Sequence, residues 1–512
     1  MDKFLRPALC TAKVIFALLL SYFALRLALY HYHLVIFPFS NTLREGAMMT
    51  STEALVKGLN PYDMSLQPQL MNQYGIIYPL LVWPFAKLFG TTILIHRLVT
   101  ACSIFASCLL IFLALKKTNT PLLLNIWAVL MLYSSLLYPG TSTPTIDPGA
   151  TGMFFFLLTL FIPWYCKYSY RSLAISIVCG LLGFYTKSYA FIGVLVMLSY
   201  TFLFVSKIKG LFYGLLLLIL SVISIMAVNQ LLPAYFDNCF FTHVNMEHAW
   251  ASMERLQLQI NMYSALHEPV FILTVIYIVG YGFKNFRYAD RALLLRAWQS
   301  LINFPLVLYA GLCSSFVLYM SLGRHTGAML WYFFQLLSPF LLAGAAWVFS
   351  RYKYWPLLCA PFLIYNLHLM TVDQDYKWFD KDTHGWSEIS LLLSHHQRVL
   401  NSPLIAPLLI EQHKEVFDNG QAEYFLPGGE RHYWMKSLFK ADDRVLIQLT
   451  LFFYNIRHMV KNKEYDLIVL QPSLLPEGVS DEIRKNYKYE GQLLLYAPQD
   501  RRSYAVTVWR PF

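Results

Sequence analysis

The sequence is short of charge. Only 13% of its 512 residues are Asp, Glu, Lys or Arg, about half of the roughly 25% found in soluble domains. Together with 57% hydrophobic residues and a mean hydropathy of +0.47, that shortage excludes a soluble globular chain and points to a polytopic α-helical membrane protein. Cysteine is sparse as well. The eight cysteines lie mostly in or beside apolar runs (Cys102, Cys108, Cys166, Cys179, Cys313, Cys359), and none follows residue 371. No pattern among them suggests a disulfide framework or a zinc site. The N-terminal MDKFLRPALCTAK lacks a small-residue cleavage site, so the first apolar run reads as an uncleaved span and not as a signal peptide. The formal net charge of +11 is concentrated between apolar runs, where it serves topology; nucleic acid is not an expected partner.

Apolar runs of spanning length and the Lys/Arg between them give about eleven transmembrane helices. The expected spans are 14–36, 93–115, 121–139, 149–166, 172–189, 190–206, 211–231, 269–283, 304–322, 328–349 and 354–370. Lys3, Arg6 and Lys13 precede the first span, Lys116-Lys117 follow the second, and Lys284, Arg287, Arg291 and Arg296 follow the eighth. Under this count the basic clusters between spans share one side, taken as cytoplasmic together with the N-terminus. Residues 1–370 then form the membrane domain, and 371–512 lie outside as a small extracytoplasmic α/β domain. In that tail, Ala441–Lys461 and Ser480–Asn486 read as helices, and Tyr465–Gln471, Gln492–Tyr496 and Tyr504–Trp509 as strands. It contains no G-x-G-x-x-G, P-loop or nucleophile elbow, so it is expected to cover or shape an outer site.

The first outer loop, 37–92, is the densest in signals. Glu45 follows the first span, then a weakly amphipathic run, the turn Gly58-Leu59-Asn60-Pro61-Tyr62-Asp63, and an apolar segment broken by Pro79 and Pro84. That second segment reads as a helix lying in the membrane interface, and with the weakly amphipathic run before it the loop is expected to form a lid of interfacial helices. Glu45, with Arg44 beside it, has the chemistry of a general base for a hydroxyl or amine acceptor; the plainer reading is a solvated acid at a helix start. Asp147, in Pro144-Thr145-Ile146-Asp147-Pro148-Gly149, is the acid of the second outer loop, and the plainer reading there is a helix cap. Lys187, Arg324 and His325 stand on the outer side against the positive-inside trend, which suits a phosphate ligand or snorkelling. Arg26, well inside the first span, costs about 2.5–3.5 kcal/mol to insert and calls for a partner or a wet cavity. In the loop 233–267, His243, Glu247 and His248 match no closed zinc pattern, so no metal is assigned.

These features carry a resemblance. Glu45 after the first span, Gly58-x-Asn60-Pro61-Tyr62, Tyr74-Gly-x-x-Tyr78-Pro-Leu before a helix ending Phe89-Gly90, Arg97 opening the second span, and Asp147 in the next outer loop resemble the GT-C superfamily of membrane glycosyltransferases. The kinship is with bacterial relatives of protein O-mannosyltransferases and the lipid A aminoarabinose transferase. The resemblance implies transfer of a sugar from a polyprenyl-phosphate donor to a lipid, glycan or protein acceptor, with inversion and with no cofactor required. It implies Glu45 as catalytic base and Asp147 as a supporting acid. Lys187, Arg324, Arg44 and Arg26 become donor-phosphate ligands, and Tyr62, Tyr74, Tyr78 and His325 pocket residues. Where many relatives have an Asp-Glu pair this chain has Arg44-Glu45, a departure that bears directly on the base. A lipid-linked-glycan transporter, flippase or ligase is the rival class; a transporter calls for internal repeats and matched broken spans, and neither is found. The cysteine-free tail points to a bacterial inner membrane.

Overall fold

The computed structural model describes residues 2–67, 69–139, 143–241, 305–322, 331–373, 379, 383–417, 444–471 and 477–512. Arg324, His325, the 269–283 span, the basic loop after it and the His243–His248 group lie outside those residues. The first half of the chain is a succession of helices: α1 (Asp2–Ile36), α2 (Glu45–Val56), α3 (Ile77–Phe89), α4 (Ile93–Lys117), α5 (Leu122–Leu136), α6 (Gly149–Tyr165), α7 (Tyr170–Phe184), α8 (Ile192–Tyr200) and α9 (Lys207–Leu231). Further helices cover Pro305–Leu322, Ser338–Phe349 and Trp355–Asp373. Five described helices are long and apolar enough to cross a membrane: Pro7–Ile36, Ile93–Lys117, Ser188–Val205, Lys207–Leu231 and Trp355–Val372; the others in the bundle are shorter apolar helices. The run expected as one span over 328–349 is two helices, Trp331–Leu336 and Ser338–Phe349. Pro339 supplies no backbone N–H and fits the first turn of a new helix better than the middle of an old one.

α1 shows how the sequence selects its packing face. Phe16, Leu20, Phe23, Leu27, Tyr30 and Leu34 are all buried, and Leu18, Leu25, Leu29 and Tyr32 on the opposite side are exposed. The buried set recurs every three or four residues, so it lines one stripe of the helix. Lipid is as apolar as leucine, so close packing and not hydrophobicity distinguishes the two faces. The stripe packs into one large core with Ile104, Cys108 and Ile111 of α4 and Trp127 and Met131 of α5.

The tail builds a four-stranded sheet in the order β1-β2-β4-β3, from β1 (Val399–Asn401), β2 (Leu467–Leu470), β3 (Tyr487–Ala497) and β4 (Arg502–Pro511). β1 and β2 are parallel; β2–β4 and β3–β4 are antiparallel. The expected helices fall at Arg444–Lys461 and Glu477–Asn486. β1 has only three residues, too few for an alternation to show.

The tail does not stand apart. Trp386, Ile389, Leu404 and Ile405 share a core with Met48, Met49, Tyr74 and Tyr78 of the first loop, and Phe39 stacks on Trp386 with ring centroids 5.0 Å apart. Ser40 Oγ donates to Leu404 O at 2.7 Å, and Tyr30 OH to Gln499 Oε1 at 3.2 Å. This packing corrects one expectation. α2, expected as an interfacial helix, is buried over Glu45–Thr52 and at Ala54, because the Pro403–Glu411 segment lies on it; a Cβ at Gly46 would come within 2.8 Å of the Ala406 Cβ. α3 does present an apolar outer face, with Leu80, Leu81, Phe85, Leu88 and Phe89 exposed.

Loops at one end of the bundle interlock. Gly75 N donates to Thr186 O at 3.2 Å, Ile77 N to Tyr185 O at 3.1 Å, and Ala234 N to Tyr62 O at 2.9 Å. Gly75 is required by that approach: a Cβ there would lie 1.8 Å from Tyr185 O. Gly75→Ala is therefore expected to separate the first loop from the 185–187 turn and to destabilise the protein by about 1–3 kcal/mol or more. Faster thermal inactivation in detergent is the readout; an unchanged rate would mean the approach is not needed.

Candidate active site

Two buried ion pairs organise the interlocked end. The first joins Glu45, at the start of α2, to Arg97, one turn into α4; both are fully buried. Arg97 Nε donates to Glu45 Oε1 at 3.0 Å and Nη2 to Oε2 at 2.7 Å. The remaining guanidinium donors reach Phe39 O at 2.6 Å, Leu34 O at 3.2 Å and Phe37 O. These carbonyls belong to the C-terminal end of α1 and the turn after it, where a helix leaves carbonyls unpaired and a cation is favoured. Glu45 accepts two more bonds, from Asn41 N to Oε2 at 2.8 Å and from Ile146 N to Oε1 at 3.2 Å. Each of its oxygens thus accepts twice, and the fork of the guanidinium matches the carboxylate in the bidentate manner.

The second pair lies next along the chain from Ile146. Asp147 Oδ1 accepts from Lys187 Nζ at 2.9 Å and from Gly149 N at 2.6 Å. Asp147 is not the cap that the plainer reading expects, since the N-cap of α6 is Pro148 with no side-chain cap bond; it closes the turn into α6 through Gly149 N and pairs with the outer cation. Its other oxygen, Oδ2, accepts no hydrogen bond among the described residues, in contrast to both oxygens of Glu45. The Lys187 ammonium lies 5.2 Å from the ring centre of Tyr74, 5.7 Å from that of Tyr189 and 5.6 Å from that of Tyr332, inside the distance at which a ring face attracts a cation. Burial works against its charge, but Asp147 and the tyrosines outweigh it and hold the pKa above the ordinary lysine value. Tyr189 OH donates to Gly149 O at 3.2 Å and also to Gln335 Oε1, and Gln335 Nε2 donates to Thr143 Oγ1 at 2.9 Å. A Cβ at Gly149 would come within 2.5 Å of Gln335 Nε2 and 2.7 Å of Asp147 Oδ1, so only glycine lets these groups converge.

The structure brings Asp147, Lys187 and Tyr74 together and links Glu45 to them through Ile146. Arg44 is half-buried at the rim, and its charge acts on the Tyr74 hydroxyl and on Asp500 of the β3–β4 turn. Burial pushes the Asp500 carboxyl up, against the Tyr504 hydroxyl and the Arg502 and Arg44 charges. Tyr62 and Tyr78 are fully buried; Tyr62 OH bonds the Tyr74 carbonyl, and Tyr78 OH bonds His96 O at 2.9 Å, so both brace the loop from behind. Arg26 bonds Tyr22 OH at 3.4 Å, about 12 Å of helix rise from Leu34. Tyr189, Tyr332 and Gln335 were not singled out from the sequence. Gln335 had a signal, as a lone amide in the apolar run WYFFQLL; a polar side chain in such a run needs a partner. Among the described residues no group of three or more His, Cys, Asp or Glu is placed to hold a metal ion.

No family model matches the chain, and none of the curated proteins matches it. Solved structures do. The crystal structure of ArnT from Cupriavidus metallidurans bound to undecaprenyl phosphate superposes with a TM-score of 0.52 at 12% identity, covering 96% of this chain and 97% of that one. The apo state of the same protein gives 0.54 at 11% identity, with 98% of each chain covered. The chain is thus similar over nearly its whole length to a protein of the GT-C fold, the fold that the first-loop residues suggested.

Proposed function

We propose that this chain is an integral-membrane glycosyltransferase that moves a sugar from a polyprenyl-phosphate donor to a hydroxyl or amine acceptor. The observation that carries the reading is the Asp147–Lys187 pair, buried among tyrosines at the interlocked end of the bundle. The likeness in fold to a protein crystallised with undecaprenyl phosphate supports the donor class. In this reading the donor's phosphate meets Lys187, whose ammonium lies within about 6 Å of three tyrosine rings and bonds Asp147. Arg44, half-buried beside Tyr74, adds charge at the rim. Asp147 Oδ2 takes the proton from the acceptor as the acceptor atom attacks the anomeric carbon. The bond from that carbon to the phosphate oxygen breaks on the opposite face, the anomeric centre inverts, and polyprenyl phosphate leaves with its added negative charge stabilised by Lys187.

Glu45 takes a different role here from the one the resemblance implied. Its lone pairs are committed to Arg97, Asn41 and Ile146, so it serves as a strut that fixes the 143–148 loop. The position beside it, where many relatives have Asp, is Arg44, which leaves Asp147 as the base.

The test is turnover by the purified full-length protein of a panel of radiolabelled polyprenyl-phosphate sugars, with lipid, glycan and peptide acceptors. Consumption of one donor with release of polyprenyl phosphate is the expected result. Donor neither bound nor consumed would overturn the reading in favour of transport, which flux in liposomes would reveal.

A further inference from the structure

The end of the bundle away from Asp147 carries a second feature that the transfer reaction does not use. α4 runs 25 residues from the Arg97 end, roughly 37 Å, to Lys116 and Lys117. There a groove of about 200 Å³ opens between α4 and α6, lined by Leu110, Leu113, Ala114, Phe161, Ile162 and neighbouring aromatic side chains. Its lining is apolar almost throughout, and its mouth is basic. Lys117 sits on Trp164 and Tyr165 of the lining; Lys116 and Lys167 adjoin Lys117 and Cys166 in the chain, and Arg171 follows in the first turn of α7. All four are exposed, and among the described residues none of the four pairs with a carboxylate.

The cations are not equivalent. Lys117 donates to Tyr165 O at 2.8 Å and lies 4.5 Å and 4.3 Å from the ring centres of Trp164 and Tyr165. It caps the end of α6 and is held in place by it. Lys116 and Lys167 make no side-chain bond among the described residues. Lys167 and Tyr168 both take the left-handed conformation, with φ of 53° and 56°, which turns the chain sharply off the end of α6. The arrangement is a concave apolar slot with positive charge beside it, at the end of a helix long and apolar enough to cross a membrane.

We infer that this groove binds an anionic glycerophospholipid, one acyl chain lying along Leu113 and Phe161 and the phosphate held by Lys116 and Lys167. Charge complementarity selects the occupant. A zwitterionic lipid brings its own ammonium to a rim where Lys117 and its neighbours Lys116 and Lys167 are exposed, whereas an anionic headgroup gains from these cations. An acyl chain alone explains the slot but not the rim, and a free phosphate explains the rim but not the slot.

The experiment uses the purified full-length protein in detergent, loaded with equimolar palmitoyl-oleoyl phosphatidylglycerol and phosphatidylcholine and read by native mass spectrometry. Wild type is expected to retain phosphatidylglycerol over phosphatidylcholine by roughly tenfold. Lys116→Gln with Lys167→Gln is expected to bring the ratio near one. Leu113→Trp, which fills the slot from an exposed position, is expected to abolish tight retention of either lipid. All three side chains are exposed, so the fold tolerates the changes; a monodisperse gel-filtration profile checks this. Equal retention of the two lipids by wild type, or an unchanged ratio in the lysine variant, overturns the inference. So does displacement of the bound lipid by polyprenyl phosphate but not by excess phosphatidylglycerol, which would assign the groove to the donor.

Discussion

Asp147→Asn is expected to lower turnover by about 10²- to 10⁴-fold, the usual loss when a general base is removed, with donor affinity changed far less. The substitution keeps the shape of the side chain and its bond from Gly149 N, and removes the basic oxygen. It also leaves the Lys187 ammonium buried with no carboxylate, and breaking a buried pair costs about 3–5 kcal/mol, so lost activity alone proves little. Lys187→Met paired with Asp147→Asn removes that stranded charge. The double variant is expected to inactivate thermally at close to the wild-type rate and to stay inactive. Lys187→Met alone is expected to weaken donor binding as well as turnover, because in this reading it meets the phosphate before and after transfer. Full turnover by Asp147→Asn would remove Asp147 from the chemistry. Recovery of turnover in the double variant would show that the single change acted only through the stranded lysine.

The helices were legible because a lipid-facing apolar run declares itself by composition alone. The interruption before Ser338-Pro339 was missed, since 328–349 was expected as one span; the proline within that apolar run was its only local sign. α2 was not legible. Its weak amphipathic pattern fits a helix in the interface, and its burial depends on the Pro403–Glu411 segment, more than 340 residues further along the chain, which no local pattern announces. β1 was lost for a simpler reason, since Val399-Leu400-Asn401 is too short to show alternation. For the site, isolated charges were the useful signal. Glu45, Asp147 and Lys187 stood out because charge is rare in this chain. Their partners could not be read, because Glu45 and Arg97 are 52 positions apart and Asp147 and Lys187 are 40 apart. In the proposed mechanism the pairs reverse the relative weight of the two acids. Glu45 has the better position in the sequence, and Asp147 has the better-placed oxygen.

Arg97→Leu is expected to be the most destabilising single change in the membrane half. It removes the bidentate partner of a fully buried carboxylate and the donors to three carbonyls around the end of α1, and the loss from the pair alone is about 3–5 kcal/mol. Arg97→Lys is expected to recover little of this, since an ammonium cannot present the planar fork that spans both Glu45 oxygens. A chain of this size is best followed by its rate of thermal inactivation in detergent. Glu45→Gln leaves Arg97 charged and is expected to cost less than Arg97→Leu, because the amide oxygen still accepts from Arg97 and from Ile146 N. The pairing of Glu45→Gln with Arg97→Leu is expected to be more stable than Arg97→Leu alone, the sign of an interaction between the two sites. Turnover then separates the roles of the acids. If Glu45 is a strut, Glu45→Gln keeps turnover within about tenfold of wild type, far above the loss expected for a missing general base. If Glu45→Gln is as stable as wild type but as inactive as Asp147→Asn, Glu45 takes the acceptor proton after all, and the ion pair with Arg97 must open when the donor binds.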